Sequence, residues 1–375
     1  MKKIALIGST GSIGRQTLSV VRAHSDKFQI VSLAGGYNEE LFLEQVKEFK
    51  PKVATFAKEL DERQNGVEYF FGENAFTSAI IDQADVVVVA LVGFKGIVAV
   101  LNAIEKGKDI ALANKESLVV GGELVMKKAK EKGVKISPID SEHSAIWQAL
   151  NFDFNTPFKK IILTASGGAF RDLSKEQLNS VTASDALKHP NWQMGAKITI
   201  DCATLVNKAF EVIEAKWLYN TSIDNIDVII HRQSIIHSMV EFNDNSVIAQ
   251  LSYPSMEVPI ALALSYPDRI TSQIQSLDFA NVATLNFEKL DNEKYPCFDL
   301  VLTASRQGTN YPALINGANE MAVDLFLKGK IKYNDIYKAL YGTLQAYYGS
   351  HHVDIEHLTE ADTFGREYVK ELFSK

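Results

Sequence analysis

Cysteine is nearly absent: the chain has 2 among 375 residues, Cys202 and Cys297. They stand far apart and form no Cys-x-x-Cys pattern, so neither a thiolate zinc site nor a disulfide framework is signalled and reduced thiols are expected. Proline is sparse, at 9, and no low-complexity or tandem-repeat segment is found, which excludes disordered and solenoid classes. Basic residues are not in excess. A formal net charge of -7 removes the sequence-independent attraction that nucleic acid or an anionic membrane needs. Long apolar runs are missing too, since the longest, around Val86 to Val92, is far below the ~18 residues that span a bilayer. The start Met1-Lys2-Lys3 has the outline of a secretion signal, but its apolar run breaks at Gly8-Ser9-Thr10-Gly11, and a first strand is the better reading. A soluble cytoplasmic protein with no nucleic-acid or membrane partner is expected.

What is present describes a folded chain of more than one domain. Hydrophobic residues make up 46% and charged residues 23%, and the length exceeds that of one ordinary domain. Lys3 to Gly8 is a short apolar run, followed by an amphipathic stretch from Ile13 to His24 and a second apolar run from Phe28 to Gly35. The alternation continues with a helix after Asn38, a strand near Val53, a strand over 85–92, a helix from Gly96 and a strand over 109–113. Such alternation predicts a doubly wound parallel sheet, which takes its ligand beyond the carboxyl ends of the strands.

The first turn, Gly8 to Gly14, spaces its glycines GxxGxxG. It would let backbone N–H groups and a helix N-terminus approach a pyrophosphate, because glycine has no Cβ to block contact. The end of the second strand, Leu33 to Asn38, lacks the acid that would accept from a ribose 2′-hydroxyl, which leans toward NADP. No lysine or arginine stands in that loop, and Arg15 is either a substitute or a plain exposed helix residue.

Asp140-Ser141-Glu142 follows the apolar run 134–139. In an extended segment residues i and i+2 share a face, so both carboxylates would converge on one hard divalent cation. Taken alone, Asp-x-Glu is more often a solvated strand end. Beyond it, Ser166-Gly167-Gly168 follows the strand 160–164 and offers a hydroxyl beside flexible backbone, or an ordinary turn. His189 to Gly195, with Trp192 and Met194, has the composition of a lid, or of a loop whose Trp192 packs on the core. A helix from Asp201 to about Tyr219 would let Asn207, Lys208 and Glu211 face one pocket, with Glu211 completing a three-carboxylate site. The alternative there is a solvated Lys208–Glu211 ion pair. The runs 237–242 and 246–252 predict an antiparallel hairpin with a face suited to a second subunit. From Phe298 onward the pattern is helical and shows no catalytic constellation.

The expected fold is α/β in three parts. Residues 1–149 form an N-terminal doubly wound (Rossmann-like) parallel-sheet domain for NADPH. Residues 150–290 form a central α+β catalytic domain that binds metal and substrate, with a flexible lid at about 186–196 and a dimerisation sheet. Residues 291–375 form a small C-terminal helical bundle.

Six strings in order, Gly8 to Gly14, Ala113 to Ser117, Asp140 to His143, Ser166 to Gly168, His189 to Gly195 and Asn207 to Glu211, closely resemble the 1-deoxy-D-xylulose 5-phosphate reductoisomerase family along nearly the whole chain. The resemblance implies an NADPH- and metal-dependent enzyme that rearranges 1-deoxy-D-xylulose 5-phosphate and reduces the aldehyde to 2-C-methyl-D-erythritol 4-phosphate, feeding isoprenoid precursors. It implies Mg or Mn held by Asp140, Glu142 and Glu211, with Lys115 and Ser141 on the substrate near the metal. Ser166, His189, Cys202, Asn207 and Lys208 would bind the substrate and its phosphate, with Trp192 and Met194 on the closing loop. Thr10, Gly11, Ser12, Ile13, Gly36, Tyr37, Asn38, Asn114, Glu116 and Gly195 would contact the cofactor, and a homodimer is implied. Two positions depart from the family: Tyr37 stands where a lysine is usual, and Cys202 where a serine commonly donates to the phosphate, a thiol being the poorer donor.

Two other readings remain open at this stage. One is a metal-independent NAD(P) dehydrogenase of another phosphorylated hydroxy compound, with structural acids. The other is a nucleotide-sensing module without chemistry.

Overall fold

Strand and helix alternate through the first part of the chain because apolar runs of four to seven residues are separated by glycine, asparagine and lysine turns. The structure is a computed structural model that describes residues 1–186, 194–350 and 352–374. In order come β1 (Lys2–Ile7), α1 (Ser12–Ala23), β2 (Phe28–Ala34), α2 (Glu39–Phe49), β3 (Val53–Phe56), β4 (Glu68–Phe71), β5 (Val86–Val89), α3 (Lys95–Glu105), β6 (Asp109–Leu112), α4 (Glu116–Lys132), β7 (Ile136–Pro138) and α5 (Ser141–Ala149). The seven strands form one sheet in the order β4-β3-β2-β1-β5-β6-β7, and every pair is parallel.

The chain winds outward from β1 in one direction and then, from β5, in the other. β1 and β5 are neighbours, so the topological switch point lies at their carboxyl ends. Asn38 caps α2 as expected, accepting from the Leu41 amide at 3.1 Å. β4 was not foreseen. It is an edge strand that alternates exposed and half-buried residues, and its aromatic run, Tyr69-Phe70-Phe71, is only three residues long.

Two compact units are distinguished. The first comprises Met1–Ser117, Val125–Ser144 and Ser255–Ile274. Its last segment contains α9 (Glu257–Ser265), whose Ile260, Ala261, Ala263 and Leu264 share a core with Leu18 and Val21 of α1, Ala111 of β6 and Ile139.

The second unit comprises Leu118–Leu124, Ala145–Pro254 and Gln275–Lys375. Ahead of α9 in the chain it contains β8 (Lys160–Ala165), α6 (Ala183–Ala186), α7 (Ala196–Thr204), α8 (Val206–Leu218), β9 (Ile226–Ile230), β10 (Ile236–Glu241) and β11 (Val247–Leu251). After α9 follow α10 (Phe279–Val282), β12 (Glu288–Lys289), α11 (Pro296–Gln307), α12 (Tyr311–Leu327), α13 (Tyr333–Ala346) and α14 (Ile355–Leu372). A mixed sheet runs β11-β10-β8-β9-β12, and β10 and β11 are the expected hairpin, pairing Glu241 with Val247. The C-terminal helices are the expected helical region. α12 and α14 meet backbone to backbone: a Cβ on Gly317 would strike the carbonyl of Asp362, and one on Gly365 the carbonyl of Leu314. No helix among the described residues is long and apolar enough to cross a membrane.

Candidate active site

In the first unit the glycine turn lies at the switch point. Gly8, at φ 98°, needs the left-handed region, and a Cβ there would come within 2.5 Å of the carbonyl oxygen of Ala90, just past β5. A Cβ on Gly14 would strike the carbonyl oxygens of Gly8 and Ser9. The turn therefore closes tightly under the start of α1. Gly11 and Ser12 stay exposed, while Thr10 and Ile13 are half-buried. Gly36 is half-buried, Asn38 is exposed and Tyr37 is 94% exposed.

Asn114 is buried and fixed from several sides. Its Nδ2 is within bonding distance of Leu91 O at 3.0 Å, Gly93 O at 3.1 Å and Glu116 Oε2 at 3.1 Å. Its Oδ1 accepts from the Ser117 amide at 2.9 Å and from the Ser117 hydroxyl. Gly96 permits this, since a Cβ there would overlap the Asn114 side chain. The amide of Asn114 is thus engaged with protein, and Glu116 is buried beside it.

The next residue, Lys115, is also buried, and its ammonium is ion-paired with Asp140. Asp140 and Glu142 do not share one face of a strand as the sequence pattern suggested. β7 stops at Pro138, and Ser141 and Glu142 are already the first residues of α5, with the Ser144 amide donating to Asp140 O at 2.8 Å. A short polar residue followed by Ser and Glu is a helix-start pattern, and it prevails over continuation of the strand. Ser141 Oγ donates to Glu142 Oε2 at 2.6 Å. His143 is fully buried, with Nδ1 3.8 Å from Asp140 Oδ2.

In the second unit the predicted single helix from Asp201 is two helices. Leu205 takes φ 58°, ψ 14°, and separates α7 from α8. Asn207, Lys208 and Glu211 all lie on α8 and meet as their spacing requires. Asn207 Nδ2 donates to Glu211 Oε1 at 2.6 Å, and the Lys208 ammonium pairs with Glu211 Oε2. This pair is not the solvated surface bridge of the alternative reading, because Asn207, Lys208 and Glu211 are 9%, 4% and 1% exposed. Ser166, at the end of β8, is half-buried, and its Oγ accepts from the Gly168 amide at 3.2 Å. Gly168, at φ 71°, lies where a Cβ would come within 2.5 Å of Cys202 O, so the Ser166 loop rests on α7 at Cys202. Met194 is half-buried and Gly195 caps α7. His189 and Trp192, with most of the expected lid, lie outside the described residues.

Sequence reasoning missed a buried contact behind α7. Asp201 is 2% exposed, paired with Lys197 at 2.8 Å and accepting from Asn319 Nδ2 of α12 at 2.8 Å. Asn316 and Asn319 are fully buried in an otherwise apolar stretch of helix. Two poor helix formers among Ala, Leu and Ile were the available signal.

A glycine turn at a parallel sheet's switch point, in a chain whose carboxylates suit a cation and whose buried Lys115 and Lys208 suit an anion, is the arrangement of a dinucleotide-dependent oxidoreductase. Models of 1-deoxy-D-xylulose 5-phosphate reductoisomerase match residues 4–122, and models of its C-terminal domain match residues 136–219 and 251–368. The chain belongs to the 1-deoxy-D-xylulose 5-phosphate reductoisomerase family. It is 48% identical to the reductoisomerase of Exiguobacterium sibiricum over 380 residues, covering 99% of each chain. It is also 48% identical to that of Chlorobaculum tepidum, covering 99% of this chain and 100% of the relative. A solved structure of DOX-P reductoisomerase in complex with NADPH, fosmidomycin and magnesium superposes with a TM-score of 0.95 at 36% identity, covering 100% of this chain and 98% of that one. The Zymomonas mobilis enzyme in complex with NADPH gives a TM-score of 0.93 at 36% identity, covering 100% of this chain and 99% of that one.

Proposed function

We propose that this chain is an NADPH- and divalent-metal-dependent enzyme that converts 1-deoxy-D-xylulose 5-phosphate to 2-C-methyl-D-erythritol 4-phosphate, the step toward isoprenoid precursors. The observation that carries this reading is family membership over the full length. The relative solved with NADPH, fosmidomycin and magnesium supports it further.

The residues present fit both groups. The turn from Gly8 to Gly14 is so tight that a Cβ at Gly8 or Gly14 would strike backbone carbonyls, and it leaves Gly11 and Ser12 exposed at the start of α1, where a pyrophosphate would meet a helix N-terminus. Asp140, Glu142 and Glu211 offer oxygen donors alone, the set for Mg or Mn. When bound, a cation held by these carboxylates would supply Lewis-acid stabilisation of the charge that develops in the rearrangement, worth several kcal/mol, and the nicotinamide would supply the reducing equivalent.

The side chains do the rest. Lys115 and Lys208, which pair with Asp140 and Glu211, would be free to hold anionic substrate oxygens once those carboxylates held a cation. Lys115 and Ser141 bind the substrate near the cation. Asn207 orients Glu211 through its amide. Lys208, Ser166, Cys202, Asn207 and His189 bind the substrate, including its phosphate, and binding energy from that remote group helps drive closure of the loop that carries Trp192 and Met194. Closure keeps water from the aldehyde. Thr10, Gly11, Ser12, Ile13, Gly36, Tyr37, Asn38, Asn114, Glu116 and Gly195 contact NADPH. Residues 1–149 serve the cofactor and also supply Lys115, Asp140, Ser141 and Glu142, residues 150–290 supply Glu211 and the remaining substrate contacts, and 291–375 buttress them. The chain works as a cytoplasmic homodimer joined through the face of the β10–β11 hairpin.

The test is oxidation of NADPH with deoxyxylulose phosphate, with and without Mn, on wild type and Glu211→Gln. Turnover with Mn that EDTA abolishes is expected. Undiminished turnover in EDTA would favour a metal-independent dehydrogenase, and no turnover of wild type with Mn would remove the assignment.

A further inference from the structure

A dinucleotide fold tells NADPH from NADH at the end of its second strand, where an acid takes the ribose hydroxyls and a cation accommodates the 2′-phosphate. After β2 this chain reads Gly35-Gly36-Tyr37-Asn38, which contains neither. Tyr37 is 94% exposed, and the Asn38 side chain is engaged as the cap of α2. The neighbouring strand supplies what the loop lacks. β3 pairs parallel to β2 with Ala34 opposite Thr55, and the Gly35 amide donates to Thr55 O at 2.9 Å, so both strands end at the same edge. Two residues past the end of β3 stands Lys58. Its ammonium lies 2.7 Å from the carboxylate of Glu39, the residue directly after the Asn38 cap, and its side chain is 66% exposed.

We propose that Lys58 is the cation that selects the adenosine 2′-phosphate in this chain, exchanging Glu39 for the phosphate when NADPH binds. This rests on the NADPH reading above. The exchange limits the gain. Lys58 gives up a carboxylate for a phosphate, and Glu39 is left anionic and unpaired close to the new charge. Preference for NADPH over NADH is therefore modest, and Glu39 works against it.

Binding of NADPH, NADH and 2′,5′-ADP to wild type, Lys58→Met and Glu39→Gln, measured by calorimetry without substrate, tests this. Lys58→Met should weaken NADPH and 2′,5′-ADP by about fivefold, the size of one exposed charge-assisted contact, and leave NADH alone. It should also flatten the salt dependence of NADPH binding. Glu39→Gln should tighten NADPH selectively. Equal affinity of wild type and Lys58→Met for NADPH, or equal weakening of NADPH and NADH, overturns the proposal. A wild type that binds neither dinucleotide overturns the parent reading as well, and is told apart by its failure with NADH.

Discussion

Lys208 and Glu211 are ion-paired one helical turn apart in α8, and their side chains are only 5% and 2% exposed. A buried pair of this kind gives little net stability, but loss of one partner strands the other. Both charges are also the ones that substrate and metal would claim. The same two residues therefore link stability to ligand state.

Lys208→Met should destabilise the metal-free protein by about 3 kcal/mol, because the buried Glu211 carboxylate loses its ammonium. Mn should raise the melting temperature of this variant more than that of wild type, since no lysine has to be displaced. Calorimetry with EDTA and with Mn checks it, and equal Mn shifts in the two proteins would count against the metal reading of Glu211.

Glu211→Gln keeps the size and the Asn207 contact but removes the charge. Mn affinity should fall at least about tenfold and kcat by about a thousandfold, in keeping with several kcal/mol of lost charge stabilisation. Paramagnetic titration of Mn and steady-state rates measure the two separately. Unimpaired Mn binding would place the third carboxylate elsewhere.

The two thiols should behave differently. Burial pushes the Cys297 thiol up to about 12, so at pH 8 roughly one molecule in ten thousand carries the thiolate. A chromogenic disulfide should count at most one fast thiol in the native protein and two after unfolding. Cys202→Ser should lower KM for the substrate by about threefold to tenfold if that position donates to the phosphate, the hydroxyl being the stronger donor. An unchanged KM removes Cys202 from the site.

At the start of α14, Asp354 accepts from the His357 amide at 2.9 Å and sits against the His357 ring. The amide, then the ring, hold Asp354 below its ordinary 3.8, and Asp354 lifts His357 above its ordinary 6.5. The depressed acid stabilises the fold above 3.8 and loses that contribution as pH falls through its folded value. The raised histidine stabilises it below 6.5 and loses that contribution as pH rises through its folded value. The drop in melting temperature caused by Asp354→Ala should thus be largest between about pH 4 and 6.5 and smaller on either side. A pH-independent drop would mean that only the helix cap matters.

The first unit was legible because short continuous apolar runs and helical apolar patterns, punctuated by glycine, dictate the alternation. The turn from Gly8 to Gly14 and the cap at Asn38 were visible for the same reason. β4 was not, since Tyr69-Phe70-Phe71 is too short a run to mark a strand by itself, and as an edge strand it is half exposed. The helix break at Leu205 left no mark in the sequence, where a leucine adopts a left-handed conformation without glycine or proline nearby. Asp140 and Glu142 were recognised as chemistry but misplaced on a strand, because Pro138-Ile139 reads as extended while the following Ser-Glu starts a helix. Asn207, Lys208 and Glu211 were found by spacing alone. Their burial depends on packing from distant segments, which local pattern does not encode. The same holds for the bond between Asp201 and Asn319, whose partners are more than a hundred positions apart.

α14 presses its backbone against α12 at Gly317 and Gly365, α12 holds α7 through Asn319, and α7 carries Cys202. A methyl group added at Gly365 would be transmitted along that stack to the height at which a substrate's anionic end is received. Lesions selected only by loss of turnover would accordingly turn up near the carboxyl terminus, at residues that never meet a ligand, and would be mistaken for folding defects unless substrate affinity were measured alongside.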